Sequence, residues 1–139
     1  MSLPKVLNLN PRSIYNKADE IMTFVNEESV DLICMSESWE REELPLDEVI
    51  EMDAYKVISN VHQRKEKGGR PASIANTKQF VVENLTETIV EIPWVVEVVW
   101  AALTPKNVSN ASKIQKIIVA SVYSKPDSQK KTLLLDHIA

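Results

Sequence analysis

The sequence predicts an α/β fold, a layered sandwich with a mixed or antiparallel sheet and flanking helices. Three observations predict it. The first 35 residues read strand, helix, strand, the pattern of a βαβ unit or its open-sandwich equivalent. The middle of the chain is a succession of β-rich segments separated by polar or Pro-containing breaks. The last residues return to a helical pattern carrying Leu133, Leu134, Leu135 and Ile138, with Asp127 as its expected cap.

Lys5 to Asn10 alternates in its apolar residues and reads as the first strand, and Pro11 ends it by removing a ladder donor. Ala18, Ile21, Met22 and Val25 stand at i, i+3, i+4 and i+7, one face of a helix, with Asn16 as its N-cap and Glu27-Glu28-Ser29 at its end. Val30 to Met35 is apolar except for Asp31, which suits a strand covered on both faces. Pro45 to Met52 can form a short helix with Leu46, Val49 and Ile50 on one side, and Tyr55 to Ser59 is a strand. The run from His62 to Arg70 is a polar connection holding the only two glycines, Gly68 and Gly69. Further strands are expected at 72–75, 80–85, 87–92, 95–103 and 114–123, the last two joined as a hairpin across the polar loop 104–113.

Composition bounds the function. With 139 residues, the chain is long enough for one domain with a core and too short for two. Its 44% apolar and 26% charged residues are those of a globular protein. No apolar run approaches the roughly 20 residues that span a bilayer, so no membrane partner is expected. Met1 to Pro4 lacks a basic segment leading into an apolar one, so no signal peptide is expected. Cys34 is the only cysteine, which excludes an intramolecular disulfide and suits a reducing intracellular setting. The sequons at Asn84, Asn107 and Asn110 are then chance occurrences. A net charge of −4 argues against a broadly phosphate-binding surface, while leaving room for a carboxylate site with a basic surface elsewhere.

The chemistry-bearing candidates lie at strand ends. Asn10 closes the first strand and Glu37 follows the second. If those strands are parallel neighbours, both side chains emerge at one sheet edge, where open α/β sheets bind ligands. A carboxylate there can hold Mg²⁺, which needs only one or two carboxylates beside water and phosphate oxygens. The plainer alternatives are that Asn10 is a turn residue before Pro11, Glu37 an ordinary polar residue past a strand, and Tyr123 a strand-edge aromatic. His62 has no partner in sequence, and the charged run around Lys65 reads as a solvated loop. Trp94 and Trp100, flanking a strand, read as core rather than as base-stacking platforms.

Four segments occur in order at suitable spacing. They are Asn8-Leu9-Asn10-Pro11-Arg12-Ser13, Asp31 to Trp39 with its Ser36-Glu37-Ser38-Trp39 end, Gly68-Gly69, and Ser121-Val122-Tyr123-Ser124-Lys125-Pro126. Together they resemble the apurinic-endonuclease-like domain of non-LTR retrotransposons, in the endonuclease/exonuclease/phosphatase superfamily. The resemblance covers nearly the whole chain, treated as a single domain over 1–139 that is the N-terminal portion of a truncated whole. It implies a four-layered α/β sandwich and Mg²⁺-dependent phosphodiester hydrolysis that nicks DNA. It also implies Asn10, Glu37 and Tyr123 as catalytic-site residues, Glu37 as the metal ligand, DNA as partner, and work in cytoplasm and nucleus. Arg12 matches an Asn-x-Arg-Ser variant without an assigned role. Arg70-Pro71 depart from the pattern where the family shows a third glycine. The Asp-x-Asn and Ser-Asp-His motifs that supply the base and orient the attacking water do not occur. Asp136-His137 follows three leucines on the expected helix and is the polar edge of that helix rather than the terminal motif. This chain alone is therefore expected to be inactive, and to self-associate through an uncovered sheet edge. A non-catalytic interaction or scaffold fragment is the alternative, and a lipid or inositol phosphoesterase of the same superfamily is a further one.

Overall fold

A computed structural model of the chain describes residues 4–50, 53–59, 69–86, 96–106 and 116–124. The loop around His62 and Lys65, the expected strand 87–92, Trp94, the helix behind Asp127 and Asp136-His137 lie outside the described residues. The described chain is α/β. It runs β1 (Val6–Leu9), α1 (Ala18–Glu27), β2 (Leu32–Met35), α2 (Leu46–Val49), β3 (Tyr55–Ser59), β4 (Ala72–Asn76), β5 (Phe80–Asn84), β6 (Val96–Pro105) and β7 (Ile117–Ser124).

There are two sheets. The four-stranded sheet has the order β1-β2-β4-β3, with β1 and β2 parallel and the other pairs antiparallel, so it is mixed. The three-stranded sheet, β5-β6-β7, is wholly antiparallel. The parallel pair is joined through α1, as the strand–helix–strand pattern predicts. Leu7, Leu9, Ile33, Met35, Ala72 and Ile74 turn to one face, where they pack with Ala18, Met22 and Val25 of α1 and with Leu46 and Ile50 around α2. The alternate residues Leu32, Ile58 and Ala75 turn to the other face, against Phe80 and Val82 of β5 and Val99, Ala101 and Leu103 of β6. Period-2 alternation in β2, a run apolar at every position, thus feeds two cores at once. The described residues supply one helical layer and two sheet layers.

The spacing predicted the buried face of α1, but its start differs. The N-cap position is Lys17, not Asn16, and no side chain caps the helix. Instead the Lys17 ammonium reaches back to the Pro11 carbonyl, which ties the helix start to the loop after β1. The helix ends where Glu27-Glu28-Ser29 predict, in a Schellman arrangement. Ser29 is left-handed (φ 54°), its N–H donates to the Asn26 carbonyl at 3.4 Å, and the Val30 N–H donates to the Val25 carbonyl at 3.0 Å. Trp100 lies within β6 rather than flanking it, and it sits half-buried on the face turned away from the sheet–sheet core.

Candidate functional site

The carboxyl ends of β1 and β2 emerge side by side because the two strands are parallel and in register, with Leu9 opposite Met35. The Ser36 N–H donates to the Leu9 carbonyl at 3.2 Å. Just beyond it the Asn10 side-chain amide donates to Oε2 of Glu37 at 2.7 Å. The other oxygen, Oε1, accepts the indole N–H of Trp39 at 3.3 Å. Both carboxylate oxygens therefore have a donor, and each keeps lone-pair capacity for a further partner.

The loops that carry these residues are bound to one another through the backbone. The Asn10 Oδ1 accepts the Arg12 N–H at 3.2 Å, closing an Asx turn. The Ser13 and Ile14 N–H groups donate to the Glu37 and Ser38 carbonyls, and the Ser38 and Trp39 N–H groups donate to the Arg70 and Gly69 carbonyls. Ser38 is fully buried, and its hydroxyl also donates to the Arg70 carbonyl at 2.7 Å. The backbone is strained here. Arg12, Ser13, Trp39 and Arg70 all have positive φ, as does Gly69. Each non-glycine case costs about 1 kcal/mol or more and persists only where its surroundings over-determine it. The cross-loop bonds provide that determination.

Glu40, three residues after Glu37, serves structure. It is buried, and its Oε2 accepts the Leu46 N–H at the start of α2 at 2.8 Å. Tyr15 closes the same region: its hydroxyl donates to the Leu44 carbonyl and accepts the Arg41 N–H, with the Arg41 guanidinium 4.2 Å above its ring.

Tyr123 pairs with Glu97 across β7 and β6 and follows Ser121 by two residues on the same face. Ile117 and Val119 pack on the cluster containing Leu32, whereas Ser121 meets Ser73, the cross-strand neighbour of Cys34. Residues later in β7 therefore match residues later in β2, and Tyr123 lies toward the end of the sheet that carries Asn10 and Glu37. A cavity of about 410 Å³ lies between these elements, lined by residues 8–10, 34–36 and 120–122. The hydroxyl of Ser121, one of the lining residues, shares a hydrogen bond of 2.6 Å with the Ser73 hydroxyl. Burial pushes the Cys34 thiol above its ordinary range, against the opposing pull of hydrogen bonds from Ser121 and Ser73.

Among the described residues no three His, Cys, Asp or Glu side chains gather as a metal-binding cluster. The donor set at Glu37, one carboxylate with an amide beside it, is nonetheless what Mg²⁺ uses when water and substrate phosphate complete its shell. Also among the described residues, no helix is long and apolar enough to cross a membrane. Sequence reasoning singled out Asn10 and Glu37, which meet. It missed the part played by Trp39, although Ser36-Glu37-Ser38-Trp39 held the signal, an aromatic N–H donor two residues from the carboxylate. Comparison of the chain with protein-family models, with curated proteins and with solved structures found no match.

Proposed function

We propose that this chain carries part of the active site of a Mg²⁺-dependent DNA endonuclease of the endonuclease/exonuclease/phosphatase type, similar to the nicking domain of non-LTR retroelements. The single observation that supports it most is the Asn10–Glu37 hydrogen bond at the carboxyl ends of two parallel neighbouring strands. In this reading Glu37 holds the cation, Asn10 orients the carboxylate and a phosphate oxygen, and Tyr123 approaches the phosphate from β7. The layers of helix, mixed sheet and antiparallel sheet are compatible with such a sandwich. Bound Mg²⁺ would polarise the phosphodiester and stabilise charge on the leaving oxygen. The Asp-x-Asn and Ser-Asp-His groups that activate water are not in these residues, so residues 1–139 alone are expected not to nick plasmid DNA. General acid–base groups contribute about 10²–10⁴-fold.

The competing reading is a non-catalytic interaction module, favoured by the net charge of −4 and by the motifs that do not occur. Paramagnetic broadening by substoichiometric Mn²⁺ separates the two. NMR signals of Asn10, Glu37 and Trp39 should broaden first, and Glu37→Gln should abolish the effect. Broadening centred on other carboxylates, or no broadening at all, would favour the interaction module.

A further inference from the structure

We propose that Trp39 is a positioning residue for Glu37, fixing through its indole N–H the carboxylate that would face a divalent cation. The inference rests on the reading of Glu37 as a cation ligand. Three observations carry it. The Trp39 Nε1–H donates to Oε1 of Glu37 at 3.3 Å while the Asn10 amide holds Oε2 at 2.7 Å, so the carboxylate is gripped from both sides. Trp39 holds a left-handed backbone conformation (φ 58°), which an aromatic residue adopts only under constraint. Its N–H donates to the Gly69 carbonyl at 2.9 Å, which anchors that conformation to a different part of the chain. The residue is 41% exposed, so burial does not account for an indole placed at this strained position. The hydrogen bond to Glu37 does.

A carboxylate on a flexible side chain loses rotamer freedom when it takes a cation. One already fixed by two donors loses less, and each of its oxygens keeps lone-pair capacity that a cation could use. Trp39 touches neither cation nor substrate in this scheme. It acts through Glu37.

The test uses the whole chain, Mn²⁺ affinity by titration calorimetry, and the indole ¹H–¹⁵N resonance of Trp39. Trp39→Phe keeps the ring and deletes the donor. It should weaken Mn²⁺ binding by roughly tenfold, the usual effect of losing a group that orients a ligand, while the melting temperature stays near that of the parent. In the parent chain, Mg²⁺ and separately Glu37→Gln should each shift the Trp39 indole resonance and leave those of Trp94 and Trp100 in place. That second measurement stands even if the Phe variant fails to fold. Parent-like Mn²⁺ affinity in Trp39→Phe, or an indole resonance indifferent to Glu37→Gln, overturns the positioning role. If Glu37→Gln itself binds Mn²⁺ like the parent, the cation-site reading fails, and the positioning role with it.

Discussion

Ser73 of β4 and Ser121 of β7 share a 2.6 Å hydrogen bond across the interior between the two sheets, each hydroxyl almost wholly removed from water. Truncating one of them strands a buried polar group, which costs more than the bond itself contributes. Truncating both removes the need for either. Ser121→Ala is expected to lower stability by about 1 kcal/mol, softened because the Cys34 thiol stays beside Ser73. The double variant Ser73→Ala/Ser121→Ala should cost less than the sum of the two singles. Urea denaturation of the four proteins in a double-mutant cycle measures this. Strict additivity would show that the two hydroxyls are not coupled.

The end of α1 offers a stabilising change. Ser29 occupies the left-handed position of a Schellman cap where glycine carries no Cβ penalty. Ser29 is exposed and its N–H bond is a backbone one, so Ser29→Gly leaves the cap intact. It should raise stability by about 1 kcal/mol. A melting temperature equal to or below the parent's would contradict the assigned cap geometry.

These two features show which parts of the molecule could be read in advance. The α1 face was legible because Ala18, Ile21, Met22 and Val25 follow a local period that tertiary packing does not need to correct. The parallel pairing of β1 and β2 followed from the strand–helix–strand order. The insertion of β4 between β2 and β3 was not legible, because Ile74 meets Ile33 and Val57 through pairings distant in sequence and similar in composition. The same holds at the site. Asn10 and Glu37 stand at strand ends and could be named. The left-handed turn at Trp39 depends on a carbonyl at Gly69, which no local pattern announces. Asn16 looked like a helix cap, but the Lys17 bond to Pro11 shifts the start of the helix past it.

Placing a second carboxylate beside Glu37 tests the electrostatics of the pair through stability rather than catalysis. Asn10→Asp keeps the acceptor for the Arg12 N–H and loses the donor to Glu37. Two like charges then face each other at hydrogen-bond distance, which destabilises the loop until a cation lies between them. The melting temperature of Asn10→Asp should fall below the parent's in chelator and recover when millimolar Mg²⁺ is added. The parent should respond less. An Mg²⁺ response no larger than the parent's would place the two side chains farther apart than described.

Alkaline pH should destabilise the fold through Cys34 and Tyr55. Burial raises the Cys34 thiol, and burial together with the Asp31 charge raises the Tyr55 phenol. For each group the unfolded chain releases its proton at lower pH than the folded one. The stability each contributes is complete below the unfolded value and is lost as pH climbs through the folded value. Denaturation midpoints should therefore decline above the ordinary thiol range, and Cys34→Ala should flatten the first part of that decline. Iodoacetamide should label Cys34 slowly at neutral pH in the folded chain and quickly in denaturant, since only the thiolate reacts. Rapid labelling of the folded chain at neutral pH would contradict the raised thiol.

Self-association is the last expectation, and the outer side of the three-stranded sheet is where it should arise. Ile118 is 58% exposed and Val81 is 50% exposed. Both point away from the Leu103 side of their strands, since Ile118 pairs with Ala102 and Val81 with Thr104. Among the described strands β7 has β6 on one side only. An edge strand beside an exposed β-branched residue is a template for another copy. Two copies joined edge to edge about a two-fold axis would extend the sheet in one step. Ile118→Lys introduces the charge that natural edge strands use against such pairing, and it leaves the sheet–sheet core untouched because Ile118 faces away from it. Sedimentation equilibrium at micromolar concentration should give a mass above that of the monomer for the parent chain. For Ile118→Lys the association should weaken by at least tenfold, about 1.4 kcal/mol. A parent chain with a clean monomer mass and a melt independent of concentration would show that β7 is not an open edge.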